Sequence, residues 1–573
     1  MTLPYLETLV VKNCNLTGSL VWSSRSQCSR ALVVVDLAEN GVFGSFHDAS
    51  TFTACPKLNT LNLLRNSIDF NGGLKPIGIS VEVIDLSYNR ISWGKPNVVQ
   101  WILSNGCREL RHLSVKGNKI AGDLPEFDCP NLEYIDLSAN NFSSRFPSFH
   151  DCSSLEYLDL SSQKDLHVTE IPIPCIRLSK PRRQLPPRKK SERLARKVIF
   201  EENLGTRKIV LNRPTKLNVL NYKMLGKMYE RFRTYENDPT VKLVFLKANG
   251  KVFCVGGDLT SASKFVAFGH WSFGTSYYRK EFCLDYVLAA YKKPVVAILD
   301  GGVMGGGVGI SVHSTYRIVT ENTIFAMPEA SIGLFPDVGA SYFLSRLGGF
   351  FGEYIGLTGA RLDGAEMVAL GLATHFIPSQ NIQSMEMALE EMVSSSDSTS
   401  VEMMSTIINK FSQEVKPKPD SVIARLDMIN QCFSRESCEE ILYSLERLAI
   451  QVQEKWIHNA IRSMKFASPL CLKIFLRTIR QGRSQNIEKC LDTEYVAISH
   501  ILRGTVSNDF YEGSRAILID KDKKPKWGPS KLEEVSDEMV SKCFSVTFTE
   551  NDDWYPLRLP TRSDKANAMT SKL

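Results

Sequence analysis

The sequence predicts two folds in one chain: a short solenoid of repeats, then an α/β domain whose C-terminal region is helical. Three observations predict this. One apolar spacing recurs seven times between residues 6 and 160. A Pro-rich, basic stretch follows, with neither helical nor strand periodicity. Beyond Val198, short apolar runs ending at Gly, Pro or Asn alternate with longer amphipathic stretches, the pattern of an α/β domain. A chain of 573 residues is also too long for one ordinary core. The expected boundaries are repeats over 1–168, a linker over 169–197, an α/β core over 198–380, a helical region over 381–545 and a tail over 546–573.

The repeats follow the pattern LxxLxLxxN. Leu6, Leu9, Val11 and Cys14 begin the series, followed by Leu32/Val35/Leu37/Asn40, Leu58/Leu61/Leu63/Asn66 and Val81/Ile84/Leu86/Asn89. Leu110/Leu113/Val115/Asn118 and Leu132/Ile135/Leu137/Asn140 continue it, and Leu155/Leu158/Leu160 ends on Gln163 in place of Asn. The apolar positions point inward from a short strand, and the Asn amide satisfies backbone groups where the chain leaves it. Trailing segments such as "NLTGSL" and "NKIAGDLP" resemble the receptor-type leucine-rich repeats of plants. Two glycosylation sequons begin at Asn15 and Asn141. The N-terminus has neither the basic start nor the apolar run of a signal peptide, and no capping repeats are recognisable. The repeats are therefore expected to be a fragment joined to a complete second domain.

Charge and cysteine content exclude several classes. Residues 177–197 hold ten Lys and Arg against one Glu, a net of +9 within a chain of net +7, so the remainder sums to about −2. The basic excess is a solvated seam with no interleaved aromatic residues, which argues against a nucleic-acid partner. Fourteen cysteines occur without CxxC or zinc-like spacing and are expected to be mostly free thiols. No apolar run is long enough for a membrane span.

In the second domain, "RKIVLNRP", "VKLVFLKANG" and "KPVVAILDGG" read as strands. Ser437 and Glu440 form a capping-box pattern, and Ser468-Pro469 opens a helix that stops near Gly482. Two glycine-rich turns, "GKVFCVGGDLT" (250–260) and "VVAILDGGVMGGGVGISVHS" (295–314), carry the chemistry. In the second, a buried strand runs through glycines into a helix, leaving backbone N–H groups free to bind a phosphate or an oxyanion. Neither GxGxxG nor GxxxxGK spacing is present. Gly309-Ile-Ser311-Val-His313 falls one residue short of a GxSxG nucleophile elbow, so Ser311 reads as a buried polar residue.

With "LNRP", "CVGGD", "MGGGVGISVH", "MPEASIGLFPDVG", "LTGARL", "GLATHF" and "AILIDKDKKPKW" all in order, residues 198 to about 540 resemble the crotonase (enoyl-CoA hydratase/isomerase) superfamily. Within it they resemble most the branch that hydrolyses 3-hydroxyisobutyryl-CoA. The resemblance implies a fold of repeated ββα units with a helical C-terminal region. It also implies peptide N–H groups at Gly257 and Gly306 that bind the thioester oxygen, and acids at Glu281, Glu329 and Asp337. Glu329, restricted by Pro328 and set among Phe325, Met327, Ile332 and Leu334, is expected to have a raised pKa suited to proton transfer. It either activates water or attacks the thioester itself. Asp337 and Glu281 hold the substrate hydroxyl or orient the water. Hydratases of the superfamily carry a second catalytic Glu three residues after the oxyanion glycine ("GGGCE"); this chain has Gly309 there, which favours hydrolysis over hydration.

Coenzyme A is then part of the substrate, and no metal or other cofactor is expected. Its phosphates and adenine call for nearby basic groups, with Val255, Arg279, Lys280, Lys521, Lys523 and Lys524 as candidates. The implied reaction is a step of valine breakdown. The competing classes are an enoyl-CoA hydratase or isomerase, a leucine-rich-repeat binding protein with an inactive second half, and a crotonase-like scaffold. Ser571-Lys572-Leu573 reads as an address for the peroxisomal import receptor, with the mitochondrion or cytosol as alternatives. A homo-oligomer is left open.

Overall fold

The computed structural model describes residues 197–259, 271–395, 400–548 and 554–561, and shorter stretches between residues 8 and 163. The expected linker up to residue 196, Ser143 of the second sequon and Ser571-Lys572-Leu573 lie outside the described residues. The chain divides into two compact units, 1–186 and 187–573.

In the first unit each repeat contributes one short strand to a main sheet, and these seven strands from Thr8–Val10 to Tyr157–Asp159 pair in sequence order as one parallel sheet; further short strands pair in smaller sheets of their own. The central residues Val35, Leu61, Ile84, Leu113 and Ile135 are buried, as the spacing requires. The Asn positions form a ladder. The Asn89 amide donates to the carbonyls of Leu63 (2.8 Å) and Leu86 (3.1 Å), and its oxygen accepts the Ile68 N–H (3.0 Å). Asn40, Asn66, Asn118 and Asn140 repeat this arrangement. Gln163, the apparent departure, keeps the ladder: its amide donates to Leu137 O (2.7 Å) and accepts the Phe142 N–H (3.1 Å). One extra methylene still delivers the same amide.

Most of the described cysteines are free, as expected, but Cys107 and Cys129 form a disulfide. They lie 22 residues apart, close to one repeat, so stacking brings their Cα atoms to 5.4 Å, within disulfide range. The eight free cysteines among the described residues are Cys14, Cys254, Cys283, Cys432, Cys438, Cys471, Cys490 and Cys543.

In the second unit a six-stranded sheet runs in the order Val198–Glu202, Thr206–Leu211, Leu243–Ala248, Val295–Leu299, Tyr316–Val319 and His375–Phe376. The first pair is antiparallel and the rest are parallel. A smaller four-stranded sheet takes Val252–Cys254, Gly302–Met304, Ile324–Ala326 and Leu362–Asp363. Three of the parallel core strands, Leu243–Ala248, Val295–Leu299 and Tyr316–Val319, thus pass through a glycine- or asparagine-bearing turn into a short strand of the second sheet. After two of these short strands the chain enters a helix, Trp271–Ala289 or Gly306–Val312, so the ββα unit is visible.

Beyond residue 380 the chain is helical. Ser468 caps the helix Pro469–Gly482 as its sequence predicts, accepting the Cys471 N–H. Ser437 likewise caps Cys438–Gln451 by accepting the Glu440 N–H. The reciprocal half of that capping box differs: the Glu440 carboxylate accepts the Glu436 N–H, one residue earlier than the pattern implies. Among the described residues no helix is long and apolar enough to cross a membrane.

Candidate active site

The two glycine-rich turns meet because the strands that precede them, Val252–Cys254 and Gly302–Met304, are paired neighbours. Gly256 has φ +97°, and a Cβ built on it would lie 3.5 Å from the Gly306 nitrogen, so the turns touch backbone to backbone. At Gly257 the chain bridges to Leu220. The Leu220 N–H donates to Gly256 O (2.9 Å) and the Asp258 N–H donates to Leu220 O (2.7 Å), which leaves the Gly257 N–H outside that pairing. Gly306 is the first residue of its helix, where an N–H has no acceptor one turn back. Both glycines line one cleft.

Three carboxyl groups enter the same cleft. Glu281 comes from the helix Trp271–Ala289, Glu329 from a 3₁₀ turn (Glu329–Ile332) that starts behind Pro328, and Asp337 from the loop after it. All three are buried. Glycine is required in the second turn because these acids press against it. A Cβ on Gly306 would lie 2.2 Å from Glu281 Oε1, and one on Gly305, itself at φ +50°, would lie 2.8 Å from Glu329 Oε1. On Gly257 it would meet the Tyr277 hydroxyl at 2.7 Å. Close approach by a substrate carbonyl was the reason expected for these glycines; the structure adds a second, the room its own acids take.

Burial dominates the electrostatics. Loss of solvation pushes Glu329 up to about 8, and its Oε2 has no hydrogen-bond partner among the described residues. Burial likewise raises Glu281, opposed by the Tyr277 hydroxyl at 3.5 Å and reinforced by the nearby Glu329. Asp337 is pushed well above the usual carboxylate range by burial first, then by Glu281, Glu329, Glu494 and Asp285. Like charges this close cannot all ionise in one apolar space, so most of the set keeps its protons at neutral pH.

Val255 lines the cleft together with Gly257, Glu281, Gly306, Glu329 and Asp337, so these six expected residues are brought together. Arg279 and Lys280 are not. The helix turns Tyr277, Tyr278 and Glu281 inward, while Lys280 lies on the Tyr222 ring (3.6 Å) and Arg279 over Tyr555 (5.4 Å). The residues between two inward positions on a helix point elsewhere. Lys521, Lys523 and Lys524 sit on an exposed turn beside the Arg515–Asp520–Asp522 ion pairs, outside the cleft lining. The Ser311 hydroxyl donates to the Gly307 carbonyl (2.7 Å) inside its own helix, as a buried polar residue does. Sequence reasoning missed Tyr277 and Tyr278, whose spacing of four and three residues from Glu281 was the available signal. It also missed Glu494, a carboxylate from the distant helix Ile487–Arg503 that accepts the N–H groups of Gly339 (2.8 Å) and Ser341 (2.9 Å) just past Asp337.

A family model described as enoyl-CoA hydratase/isomerase matches residues 206–544, which include both turns and every acid of the cleft. The chain belongs to the enoyl-CoA hydratase/isomerase family. A second model, leucine-rich repeats in two copies, matches residues 108–149. Over 367 residues the chain is 50% identical to 3-hydroxyisobutyryl-CoA hydrolase 1 of Arabidopsis thaliana, covering 64% of this chain and 95% of the relative. It is 40% identical over 351 residues to the 3-hydroxyisobutyryl-CoA hydrolase, mitochondrial, of Gallus gallus, covering 61% and 88%. Small ribosomal subunit protein mS47 of Arabidopsis thaliana is 36% identical over 365 residues, covering 64% and 88%. Among solved structures, a carnitinyl-CoA dehydratase from Mycobacterium thermoresistibile superposes with a TM-score of 0.55 at 31% identity, covering 61% of this chain and 96% of that one. The enoyl-CoA hydratase/isomerase fold of the second unit follows from these matches together with its two-sheet topology.

The raised pKa of Glu329 has a consequence for stability. The folded chain keeps a proton on this group up to about pH 8, whereas the unfolded chain releases it near 4.5, so stability falls as pH rises through that window. Glu329→Gln removes the penalty. Its melting temperature is expected to exceed wild type by about 2 °C or more at pH 8, with the two curves converging below pH 4.5; thermal melts across that range check it.

Proposed function

We infer that this chain hydrolyses an acyl-CoA thioester, converting 3-hydroxyisobutyryl-CoA and water to 3-hydroxyisobutyrate and coenzyme A. The observation that carries the reading is the meeting of two unpaired peptide N–H groups with a buried, high-pKa carboxyl in one cleft. Relatives named 3-hydroxyisobutyryl-CoA hydrolase, matched over nearly their whole length, support the choice of substrate. In this reading the thioester oxygen accepts hydrogen bonds from the Gly257 and Gly306 N–H groups, which stabilise the charge that develops as the carbonyl is attacked. Ionised Glu329 takes a proton from the attacking water. The tetrahedral intermediate then collapses, the C–S bond breaks, and the proton passes to the departing thiolate. Asp337 and Glu281, held mostly protonated, are suited to hydrogen-bond the 3-hydroxyl group. Gly309, where a hydratase carries its second acid, supports hydrolysis over hydration. The reaction is a step of valine breakdown.

Release of coenzyme A by the purified full chain tests this directly. Wild type is expected to release it rapidly, and Glu329→Gln on the order of a hundredfold or more slower, comparable to losing one oxyanion donor. Because the ionised carboxylate is the active form, wild-type kcat/KM is expected to rise with pH to a limb near 8. Hydration of crotonyl-CoA without coenzyme A release would make the chain a hydratase. Neither reaction from a folded sample would favour a scaffold, the reading that the mS47 relative supports.

We further infer import into the peroxisome through Ser571-Lys572-Leu573. Relatives named mitochondrial support the other organelle. Removing these three residues from an N-terminally tagged chain is expected to abolish a peroxisomal signal in cells; an unchanged mitochondrial signal would contradict it.

A further inference from the structure

Behind the cleft, the helices Trp271–Ala289 and Gly306–Val312 run side by side and meet level by level. At the first level Glu281 faces Gly306. One turn further along each helix, Asp285 faces Gly309: a Cβ on Gly309 would lie 3.0 Å from Asp285 Oδ1 and 2.6 Å from Val338 Cβ. Asp285 and Val338 therefore share the space that the missing side chain leaves. A further turn along, the His313 ring approaches Gly339, 3.7 Å from where its Cβ would be.

The loop that descends past these levels is the one that carries Asp337. Val338, its next residue, has φ +55°, a left-handed conformation that a β-branched residue holds only when its surroundings enforce it. One side of the enforcement is plain, since Glu494 accepts the N–H groups of Gly339 and Ser341. On the other side, Val338 Cβ and Asp285 Oδ1 both lie against Gly309, at 2.6 and 3.0 Å from where its Cβ would be.

Asp285 is an odd choice for a packing residue. It is 1% exposed, and neither carboxyl oxygen has a hydrogen-bond partner among the described residues. An apolar residue there would avoid the penalty of a buried, unsatisfied polar group, so the acid lowers stability. Local departures of this kind mark function more often than packing. Burial first, then Glu281 and Glu494, push its carboxyl well above the usual carboxylate range, favouring the neutral acid.

We propose that Asp285 is a positioning residue for Asp337, filling with Val338 the space left by Gly309 and thereby holding the Asp337 loop in register with the cleft. The proposal rests on the hydrolase reading and assigns a use to Gly309: the position that lacks a hydratase's acid seats a neighbour's acid instead. Asp285 touches no substrate and acts through the loop.

The test uses the full chain and coenzyme A release from 3-hydroxyisobutyryl-CoA. Asp285→Ala is expected to lower kcat on the order of tenfold or more while KM stays within about threefold, because the loop is displaced rather than the binding surface removed. Asp285→Asn keeps the shape of the neutral acid and is expected to hold kcat within about threefold of wild type, and to melt no lower. Gly309→Ala, which pushes Val338 and Asp285 aside, is expected to reproduce the Asp285→Ala loss, and the double variant to lose less than the product of the two, since the sites are in contact. Asp285→Ala within twofold of wild type, Asp285→Asn as slow as Asp285→Ala, or multiplying losses would each overturn the proposal. Should Asp285→Ala not fold, Asp285→Asn and Gly309→Ala decide by the same criteria. An inactive wild type would instead overturn the hydrolase reading itself.

Discussion

The second unit is organised around the close packing of buried carboxyl groups against two glycine turns. Glu281 presses on Gly306 and Glu329 on Gly305, at distances that leave no room for a Cβ. That contact requires two short strands to end side by side, and hence the second, smaller sheet that diverts the chain from the main one. It requires the helix Trp271–Ala289 to present Tyr277, Tyr278 and Glu281 on one face. It also concentrates burial on acids that water would otherwise solvate, and burial is the first cause of every raised carboxyl pKa in the cleft. The energy for holding them there comes from the surrounding apolar core, in which Phe253, Phe282, Phe325 and Phe335 are fully buried. A base poised near neutral pH is thus a property of the fold more than of any one hydrogen bond.

Much of this was legible in the sequence because its carriers are local. The glycines sit in turns bounded by strand-like runs, and Glu329 follows a proline inside an apolar stretch, so each announces its own environment. Strand-length apolar runs alternating with helical ones mark an α/β domain, and the family resemblance implies its ββα units. What remained hidden depends on contacts between distant segments. Glu494 lies 157 residues after Asp337, and nothing near it shows that its carboxylate will anchor that loop. Arg279 and Lys280 look well placed beside Glu281 until helical geometry turns them away. Asp285 was overlooked although it lies one turn from Glu281, because a single acid in a helix is ordinarily solvated and only tertiary packing buries this one.

The first unit, taken by itself, shows the same division. Its periodicity is a strictly local signal, and the seven strands of the main sheet fall where the pattern puts them. The amide ladder explains why the spacing is so regular: each Asn ties its own turn to the preceding repeat, donating to a carbonyl there and accepting an N–H from it. Gln163 shows that the ladder demands an amide at that place rather than asparagine as such. The Cys107–Cys129 pairing was obscured because sequence spacing suggests a disulfide only once the repeats are known to stack.

The central claim, that burial holds the proton of Glu329 up to the pH where the reaction needs it removed, is tested most directly by titrating that carboxyl. Carbon-13 NMR of the full chain labelled at glutamate side-chain carboxyls, with the Glu329 signal assigned by its loss in Glu329→Gln, would follow its ionisation against pH. A midpoint near 8 is the expected result. A midpoint near the 4.5 of an ordinary glutamate would contradict the account, because the cleft would then be open to water and its acids solvated.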